Sequence, residues 1–313
     1  MILLTGGAGF IGSNTLLALN KCSRKDIIVV DNINSKEKSN NIKGLDYLFN
    51  INKNDLWSWL NSNKPKLSLI IHLGACTDTT ENDKKYLKKN NLEYSINLFK
   101  IAQKEDIPFI YASSAATYGN GKNGFSDDHN WLDELEPLNE YGRSKHLFDK
   151  WLINQKQKPE NWAGLKFFNV YGPNETHKGN MASAVYKFVN QSKENKIIKL
   201  FKGSHGYEDG EQERDFIYVK DVVDIILWFS FSNPKNGIYN VGSGKTTTFN
   251  AIANHLSKIV KGAKKVYIDF PTGLLDIYQA YTKAEINKLR QSGFKKDFIS
   301  IENGLSKMIK AYK

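Results

Sequence analysis

Cysteine, arginine and long apolar runs are scarce in this 313-residue sequence. The two cysteines, Cys22 and Cys76, are too few for a disulfide scaffold, and neither lies in a C-x-x-C motif or in the spacing of a zinc site. No stretch reaches the roughly 20 apolar residues that a membrane-spanning helix needs. We therefore expect no metal site and no membrane segment, with both cysteines buried in a protein of the reducing cytoplasm.

Positive charge comes almost entirely from lysine. Lysine and arginine together number 44 against 33 acidic residues, for a net charge of +11, yet only four residues are arginine. Arginine is the side chain that reads base edges and binds phosphates with two parallel hydrogen bonds, so dispersed lysines are a weak signature of nucleic-acid binding. We expect no nucleic-acid partner and only a mild attraction for anionic ligands such as nucleotides.

Nothing near Met1 is typical of a targeting segment, because the apolar stretch Ile2–Leu4 leads almost directly into a glycine cluster at Gly6. With 40% hydrophobic and 25% charged residues, the composition is that of an ordinary globular protein. A chain of this length has room for one large domain, or for one and a half domains that share a cleft.

Short apolar runs alternate with longer helical patterns in the first half of the chain. Strands are predicted at Ile2–Thr5, Ile27–Val30, Leu69–His72, Phe109–Ala112 and Leu165–Phe168. Helices are predicted at Phe10–Lys21, Glu81–Lys104 and Glu140–Asn154. This alternation is typical of βαβ units, and continuous Ile, Leu and Val content fits parallel strands covered on both faces. The pattern predicts an α/β fold with a doubly wound parallel sheet.

After Pro173 the pattern loosens into polar, glycine-bearing stretches at 174–180 and 203–213, which are typical of ligand-contacting loops. Further strands are predicted at Phe216–Val219 and Ile238–Val241, and further helices at Val222–Phe231, at Phe249–Val260 and near the C-terminus. We expect a dinucleotide-binding domain of residues 1–172 with part of 214–245. Residues 173–213 and 246–313 are expected to form a smaller, partly discontinuous α/β substrate domain.

A G-x-G-x-x-G motif follows the first predicted strand and opens the first predicted helix, with glycines at 6, 7, 9 and 12. Glycines there permit a tight turn, let backbone amides approach a pyrophosphate and bring the helix close to the sheet. Asp31 lies nineteen residues after Gly12, at the end of the second predicted strand. Strand, glycines, helix and acidic residue together predict a Rossmann-type dinucleotide site.

The identity of the dinucleotide stays open on these residues. Asp31 is suited to accept hydrogen bonds from the adenosine ribose 2'-hydroxyl, which favours NAD over NADP. Lys36 and Lys38 follow within one loop, however, and Lys53 comes after the next irregular stretch. Lysines near a ribose can neutralise a 2'-phosphate, so the acidic residue alone does not decide between the two.

A second group of residues points to proton transfer. Ser113 and Ser114 follow a predicted strand, and Tyr141 and Lys145 are four residues apart on a predicted helix, so they share one helix face. An ammonium beside a phenol stabilises the tyrosinate and lowers a pKa that is normally about 10. A serine hydroxyl from the strand end is placed to hold a substrate oxygen for hydride transfer.

Together these motifs resemble the extended short-chain dehydrogenase/reductase family over nearly the full length of the chain. The resemblance implies that Tyr141 is the proton donor and acceptor, that Lys145 is its partner and a cofactor ribose contact, and that Ser114 holds the substrate oxygen. The nucleotide-sugar dehydratases of this family have Asp-Glu after the serine. Ala115 and Ala116 stand there in this chain, so elimination of water lacks its acid and base.

Segments of the second half resemble the branch of this family that inverts C6 of an ADP-linked heptose. These segments are 176–183, 199–204, 214–216 and 278–281, with 75–77 and 114–118 from the first half. The resemblance implies an isomerase that uses bound NADP, with NAD as the alternative, and ADP-heptose as substrate. It also implies that Lys178 is a second acid/base on the opposite side of the sugar from Tyr141.

The same resemblance implies two sets of binding residues. Cofactor contacts are expected from Gly6, Gly9, Phe10, Ile11, Gly12, Asp31, Asn32, Lys38, Lys53, Leu73, Gly74, Ala75, Cys76, Thr77, Asn90, Lys145, Val170 and Lys178. Substrate contacts are expected from Ser114, Asn169, Asn180, Lys187, Phe201, Lys202, Gly203, Ser204, Arg214 and Tyr278. Arg214 is suited to bind phosphate oxygens with both arms of its guanidinium.

Three features depart from the family's pattern. The stretch between Ser204 and Arg214 is long and carries four carboxylates, which are unfavourable beside a diphosphate unless they point to solvent. Lys187 stands where a histidine is expected, and Asn180 where a serine is expected. Both substitutions keep a hydrogen-bond donor.

Other functions remain open at this point. One is a 4-epimerase or reductase acting on another nucleotide sugar, since Ser114, Tyr141 and Lys145 serve all of these enzymes. Another is a non-catalytic dinucleotide sensor, against which the complete Ser/Tyr/Lys set argues. The resemblance further implies a homo-oligomer, expected to be a pentamer, and a role in supplying heptose for the lipopolysaccharide core.

Overall fold

The computed structural model describes residues 1–275 and 278–311. Its strands are β1 (Ile2–Thr5), β2 (Ile27–Val30), β3 (Phe49–Ile51), β4 (Leu69–His72), β5 (Phe109–Ser114), β6 (Trp162–Phe167), β7 (Asn169–Tyr171), β8 (Ile197–Phe201), β9 (Glu213–Arg214), β10 (Phe216–Tyr218), β11 (Gly237–Val241), β12 (Thr247–Thr248) and β13 (Lys264–Ile268).

Its helices are α1 (Phe10–Lys21), α2 (Lys36–Asn41), α3 (Leu56–Asn63), α4 (Lys84–Leu87), α5 (Tyr94–Glu105), α6 (Glu140–Ile153), α7 (Ala184–Glu194), α8 (Val219–Phe231), α9 (Phe249–Ile259), α10 (Asn287–Gln291) and α11 (Ile301–Ala311). A π-helical stretch, Lys88–Glu93, joins α4 to α5. Short 3-10 helices are found at Ala115–Tyr118, His129–Glu134 and Thr176–Met181.

Seven strands form one sheet in the order β11-β6-β5-β4-β1-β2-β3, and every pairing in it is parallel. Leu3 of β1 belongs to a core with Phe99 of α5 and Phe148 of α6 on one face. Its neighbours Ile2 and Leu4 belong to a core with residues of α1 and α8 on the other face. Helices therefore cover both faces, which confirms the predicted doubly wound Rossmann-type fold.

A second core lies beside the large sheet. It is built by α7, α9 and α11 with the parallel pairs β8–β13 and β7–β10. Its buried members include Tyr171, Val185, Ile198, Phe216, Leu256 and Leu305. Leu289 of α10 and Phe294 instead pack in the core of α1 and α8. The proposed division into 1–172 with part of 214–245, against 173–213 with 246–313, stays a prediction.

The sequence placed several regular elements of the first half well but did not predict α2, β3 or α3. The predicted bounds of β1, β2, β4 and α1 agree with the structure, and β5 runs two residues further, to Ser114. The predicted helix over 81–104 begins at Lys84 and contains the π-helical stretch. The prediction that both cysteines are buried is wrong. Cys22 is exposed at the end of α1, and Cys76 is half-buried in the loop after β4.

Among residues 1–275 and 278–311, no helix is long and apolar enough to cross a membrane. Over the same ranges, no three His, Cys, Asp or Glu side chains form a group suited to hold a metal ion.

Candidate active site

Several of the expected site residues lie together at one edge of the large sheet. Because β1, β2, β4, β5 and β6 are parallel, their carboxyl ends lie together. The strand order turns back between β1 and β4, which opens a crevice beyond these ends. The residues at or just after these ends are Gly6, Asp31, Leu73, Ser114 and Asn169.

The glycine-rich turn is packed too tightly for side chains. Gly6 has φ of +69°, and a β-carbon there would lie 2.7 Å from the Gly74 nitrogen. A β-carbon at Gly12 would lie 2.0 Å from the Gly6 carbonyl oxygen. Gly9 precedes α1 and has no side chain to cap it. Amide groups of the first turn of α1 are therefore available to an anion, as a bound pyrophosphate requires.

The end of β2 carries the expected ribose-binding residues. The Asp31 carboxylate accepts hydrogen bonds from the Ala8 amide at 3.0 Å and from Lys38 Nζ at 2.7 Å. Lys38 also donates to the Asn32 carbonyl at 3.1 Å. The side-chain oxygen of Asn32 is buried and has no hydrogen-bond partner among the described residues. An acceptor in this state fits a donor group of a bound nucleotide, so these residues fit a dinucleotide.

The π-helical stretch places an asparagine that the sequence analysis missed. Asn91 accepts from the Cys76 amide at 2.8 Å and donates to the Cys76 carbonyl at 3.0 Å and to Ser144 Oγ at 3.0 Å. It therefore fixes the loop of Leu73–Thr77 against α6. Its neighbour Asn90, which the sequence analysis named, accepts from Lys53 Nζ at 2.8 Å. π-Helical turns are enriched at functional sites. The spacing of apolar residues in the sequence does not distinguish such a turn from an α-helix, so Asn91 could not be singled out in advance.

Helix α6 brings Tyr141 to Ser114. The side chain of Asn139 caps the helix by accepting from the Gly142 amide at 2.8 Å. A β-carbon at Gly142 would lie 2.8 Å from the Ala116 carbonyl oxygen, so glycine lets the helix approach the turn after β5. Tyr141 in this first turn is hydrogen-bonded to Ser114. Two of the expected catalytic residues are thus in direct contact.

The expected lowering of the Tyr141 pKa is not what the structure shows. Burial raises this pKa, and the hydrogen bond with Ser114 offsets only part of that effect. Lys145 Nζ donates to the Ala112 carbonyl oxygen at 2.9 Å, and burial lowers its pKa to about 8. The i, i+4 spacing was visible in the sequence, but the cost of burying both groups was not.

A buried polar network lies behind these residues. Asp149 accepts hydrogen bonds from Tyr111 at 2.8 Å and from Ser113 at 2.7 Å, and it lies 3.6 Å from Lys166 Nζ. Lys166 donates at 2.9 Å to Thr117, whose hydroxyl donates in turn to the Ser114 carbonyl oxygen. The sequence pointed to Ser113 and to the segment 114–118, but Asp149 and Lys166 were missed because neither belongs to a motif and only the fold brings them together.

Lys178 reaches the crevice from a separate element, the 3-10 segment Thr176–Met181. Its Nζ lies 5.4 Å from the centre of the Phe10 ring, which places it at the start of α1. The loop is fixed by Glu175, a fully buried carboxylate that accepts from the Gly172 amide at 3.1 Å and from the amide and hydroxyl of Ser183. Burial lowers the pKa of Lys178, and the Glu175 charge opposes this shift.

A third group of expected residues meets beside the second core. The Arg214 guanidinium lies 4.8 Å from the centre of the Tyr278 ring, and the Phe201 ring meets Tyr278 edge-on at 6.2 Å. Phe270, which the sequence analysis missed, stacks on Phe201 at 4.4 Å. A groove of about 680 Å³ adjoins this cluster, lined by Lys202, Gly203, Ser204, His205, Asp269, Phe270 and Leu275.

Three expected substrate contacts already have protein partners. The Asn169 side chain donates to the Asp215 carbonyl oxygen at 3.1 Å and to Thr282 Oγ1 at 2.9 Å. Lys187 Nζ donates to the Asn180 carbonyl oxygen at 2.7 Å, and both residues are exposed. Lys187 and Asn180 are thus brought together, next to the Lys178 loop.

The acidic stretch folds so that three of its four carboxylates have partners or face solvent. Asp209 accepts from the Gly203 amide at 2.7 Å, and Glu211 accepts from Asn250 at 2.5 Å. Glu208 and Asp209 are exposed. Ser204 and Tyr207 pair as a short hairpin. The stretch therefore builds its own turn, in which Glu208, Asp209 and Glu211 leave no unpaired buried charge.

His72 is placed as a structural residue. Its ring is buried at the end of β4 between Thr5 Oγ1, at 2.7 Å, and Ser95 Oγ, at 2.9 Å. Burial lowers its pKa to about 3, so the ring is neutral at physiological pH.

Comparison with known proteins agrees with this geometry. A Fusobacterium nucleatum protein named ADP-L-glycero-D-manno-heptose-6-epimerase is 45% identical over 100% of this chain and 98% of its own length. The crystal structure of a Helicobacter pylori protein of that name superposes with a TM-score of 0.85 at 29% identity, over 99% of this chain and 95% of the other. A UDP-N-acetylglucosamine 4-epimerase from Methanobrevibacter ruminantium also superposes at 0.85, with 26% identity over 99% and 97% of the two chains.

The model of the NAD dependent epimerase/dehydratase family matches residues 2–242, which include the glycine-rich turn, Ser114, Tyr141, Lys145 and Lys178. The chain therefore belongs to the NAD dependent epimerase/dehydratase family.

Proposed function

We propose that this protein inverts C6 of the heptose in ADP-D-glycero-D-manno-heptose and so forms ADP-L-glycero-D-manno-heptose. The observation that carries the proposal is that the two proton-transfer groups come from different structural elements. Tyr141 comes from α6 and contacts Ser114, whereas Lys178 comes from a separate loop and lies against Phe10. Inversion of a carbon centre needs groups on two sides of the sugar, and full-length relatives carry the name of this activity.

The chemistry requires oxidation, because the C–H bond at C6 of an unactivated alcohol is not acidic. A nicotinamide dinucleotide held by the glycine-rich turn and Asp31 would supply the hydride acceptor for this oxidation and the hydride donor for reduction from the other face. The protein must then hold the sugar oxygen, move its proton and keep water out.

Tyr141 and Lys178 divide this work. Tyr141 exchanges the hydroxyl proton on one side of C6, and its hydrogen bond with Ser114 orients the sugar oxygen beside it. Lys178 performs the same exchange on the other side. Because burial lowers the Lys178 pKa, a larger fraction of its amine is neutral near pH 7 and able to accept a proton.

The aromatic cluster and its arginine hold the nucleotide part of the substrate. Arg214 is buried, carries a delocalised charge and stacks on Tyr278, which leaves its donors in a fixed plane suited to a diphosphate. Phe201, Ser204 and the adjoining groove provide space and hydrogen-bonding groups for the rest of the nucleotide.

We propose NADP as the resident dinucleotide, with NAD as the alternative. Lys38 forms an ion pair with Asp31 at 2.7 Å, which offsets the repulsion between that carboxylate and a 2'-phosphate. Extraction of the cofactor from purified protein and its identification by mass spectrometry tests this choice.

A second candidate is epimerisation at C4 of another nucleotide sugar. It is favoured by the structural similarity to a 4-epimerase and by the Ser114, Tyr141 and Lys145 set, which does not depend on the position oxidised. The Lys178 loop separates the two candidates, because its second base is required for the C6 mechanism proposed here.

The deciding experiment mixes purified protein with ADP-D-glycero-D-manno-heptose and no added cofactor. We expect the two C6 epimers to equilibrate, as followed by proton NMR, while the nicotinamide stays bound. A reaction that proceeds only after stoichiometric NADPH is added would make the protein a reductase, and turnover of UDP-linked hexoses instead would favour the 4-epimerase. Tyr141→Phe serves as the inactive control.

We further propose a cytoplasmic homo-oligomer, a pentamer, that supplies heptose for a lipopolysaccharide core. Light scattering coupled to size-exclusion chromatography tests the assembly state. A single-chain mass near 35.6 kDa would exclude the oligomer.

A further inference from the structure

The loop that carries Lys178 is hydrogen-bonded to the outer side of the cofactor-binding turn. Asn14 of α1 donates to the Pro173 carbonyl oxygen at 3.1 Å, and Asn174 donates to Ser13 Oγ at 3.0 Å. Each contact joins positions about half the chain apart. The first turn of α1, which faces the pyrophosphate site, is therefore held from the outside by residues 173–178.

Helix α2 completes this enclosure through its last residue. Asn41 Nδ2 donates to the Ala8 carbonyl oxygen at 3.0 Å and lies 3.1 Å from His177 Nδ1. Ala8 belongs to the glycine-rich turn, and His177 immediately precedes Lys178. One amide group thus joins the turn that holds the cofactor to the loop that holds the second proton-transfer residue.

The other part of α2 faces the ribose end of the same site. Ser35 caps the helix by accepting from the Lys38 amide at 3.2 Å, and Lys38 Nζ pairs with Asp31. The helix therefore extends along the crevice, with Lys38 at the ribose carboxylate and Asn41 at the Lys178 loop. These contacts join the two elements between which a dinucleotide would lie, the glycine-rich turn and the Asp31 end of β2.

The surroundings of His177 favour the neutral ring that can accept a hydrogen bond at this contact. Burial lowers its pKa, and the nearby Lys38 and Lys178 ammonium groups lower it further, which favours a neutral imidazole. A neutral ring protonated on Nε2 accepts a hydrogen bond at Nδ1 from the Asn41 amide.

We propose that Asn41 and His177 form a latch that retains the nicotinamide dinucleotide and positions Lys178. The latch deepens the proposed function and rests on it, because a ketone formed at C6 has to be reduced by the same dinucleotide that was reduced in forming it. If the reduced dinucleotide dissociated between the two half-reactions, the oxidised sugar would remain a ketone. The Asn41 amide meets both needs, because it bonds the cofactor-binding turn at Ala8 and the Lys178 loop at His177.

The test measures dissociation of NADPH in Asn41→Ala, with Asn40→Ala as the control on the same short helix. Asn40 is exposed and belongs to no part of the site. Protein loaded with NADPH is diluted into excess NADP, and the release of NADPH is followed by its fluorescence. Loss of the part-buried hydrogen bonds of Asn41 to Ala8 and His177 predicts dissociation about tenfold faster in Asn41→Ala and an unchanged rate in Asn40→Ala. Equal rates in the two variants would overturn the latch.

His177→Ala probes the same contact from the other side, so the proposal stays testable if Asn41→Ala folds poorly. It should match Asn41→Ala, whereas His177→Asn, which keeps an acceptor on a short side chain, should recover part of the retention. A His177→Ala protein that retains NADPH like the wild type contradicts the proposal.

The sugar reaction separates the latch from the function. At saturating NADP, Asn41→Ala should keep a lowered kcat, because Lys178 is misplaced even when the site is filled. A full recovery of kcat would refute the positioning role. The remaining outcome is a wild type that fails to epimerise ADP-heptose while Asn41→Ala still releases NADPH faster than the wild type. That pair of results would refute the proposed function and leave the retention role intact.

Discussion

Tyr141 and Lys178 are proposed to share one task, but the protein holds them in different ways. Tyr141 lies in the first turn of a 14-residue helix that packs on the central sheet, with an asparagine cap, a glycine at the closest approach and a serine partner. Lys178 lies in an irregular loop whose position depends on one buried carboxylate, Glu175, and on contacts with α1 and α2. The tyrosine is held by secondary structure and the lysine by polar side chains.

The difference shows that two residues of one site can be positioned by different numbers of contacts. A helix on a sheet places its first turn through many small apolar contacts, so no single one decides the geometry. A loop held by a few hydrogen bonds depends on each of them. We therefore expect substitutions around Lys178 to change activity without unfolding the protein, and those behind Tyr141 to change stability first.

Removal of the two acid/base groups gives the largest expected effect. Tyr141→Phe and Lys178→Ala should each lower kcat for C6 epimerisation by about 10²–10⁴-fold, the range typical of general acid–base catalysis. Bound nicotinamide, measured by extraction, should remain in Tyr141→Phe. Full activity in either variant would remove that residue from the mechanism and end the comparison.

The buried charge behind Tyr141 provides the next test. Asp149 and Lys166 are almost completely inaccessible, so Asp149→Asn leaves a buried ammonium without its carboxylate and should lower the free energy of unfolding by about 3–5 kcal/mol. Urea unfolding followed by circular dichroism measures this. Asp133→Asn, which breaks a solvent-exposed pair with Lys150, is the matched control and should leave stability unchanged. Similar stabilities of the two variants would show that the network is not needed.

The carboxylate under the Lys178 loop should act on rate more than on folding. Glu175→Gln replaces an acceptor of three hydrogen bonds with an amide that faces donors, and we expect kcat to fall about tenfold or more with the fold retained. The lost charge also lowers the Lys178 pKa further, so the rise of rate with pH should move to lower pH. The exposed Glu194→Gln is the control, and an unmoved pH profile in Glu175→Gln would argue against this role.

The smallest expected effect concerns the alkaline side of the pH profile. Burial lowers the Lys145 pKa to about 8, so the ammonium is lost as the pH rises through that value, and activity that depends on its charge should fall several-fold. Lys145→Arg keeps its charge to much higher pH, so the normalised rate should no longer fall near pH 8. Lys150→Arg on the same helix should leave the profile as in the wild type. A decline that persists in Lys145→Arg must come from another group.

The sequence predicted the helices and strands that are marked by a local pattern of apolar residues. The bounds of β1, β2, β4 and α1 follow from runs of apolar residues and from the glycines between them, so they could be read in advance. Strand β3 was not seen, because it has three residues at the edge of the sheet and its Phe49 is exposed. Its pairing with β2 comes from tertiary contact and leaves no periodic signal.

The site shows the same division. The cofactor turn and the Tyr141 and Lys145 pair could be predicted because their spacings are short and fixed by a turn or a helix, whereas the role of Ser114 came from the resemblance to the family. Asn91, Asp149 and Glu175 were not predicted, because each acts through partners that only the fold brings near. The sign of the Tyr141 pKa shift also needed the structure, since burial cannot be inferred from an i, i+4 pair.

The π-helical stretch Lys88–Glu93 has a consequence for how the gene can change. An α-helix turns by about 100° per residue, so removal of one codon here would rotate Asn91 away from Cys76 if α5 kept Leu98 and Phe99 against the sheet. Single-codon deletions should therefore be purged from this stretch during evolution more than from the turn at Gly44, where an added β-carbon would meet no other atom within 4 Å.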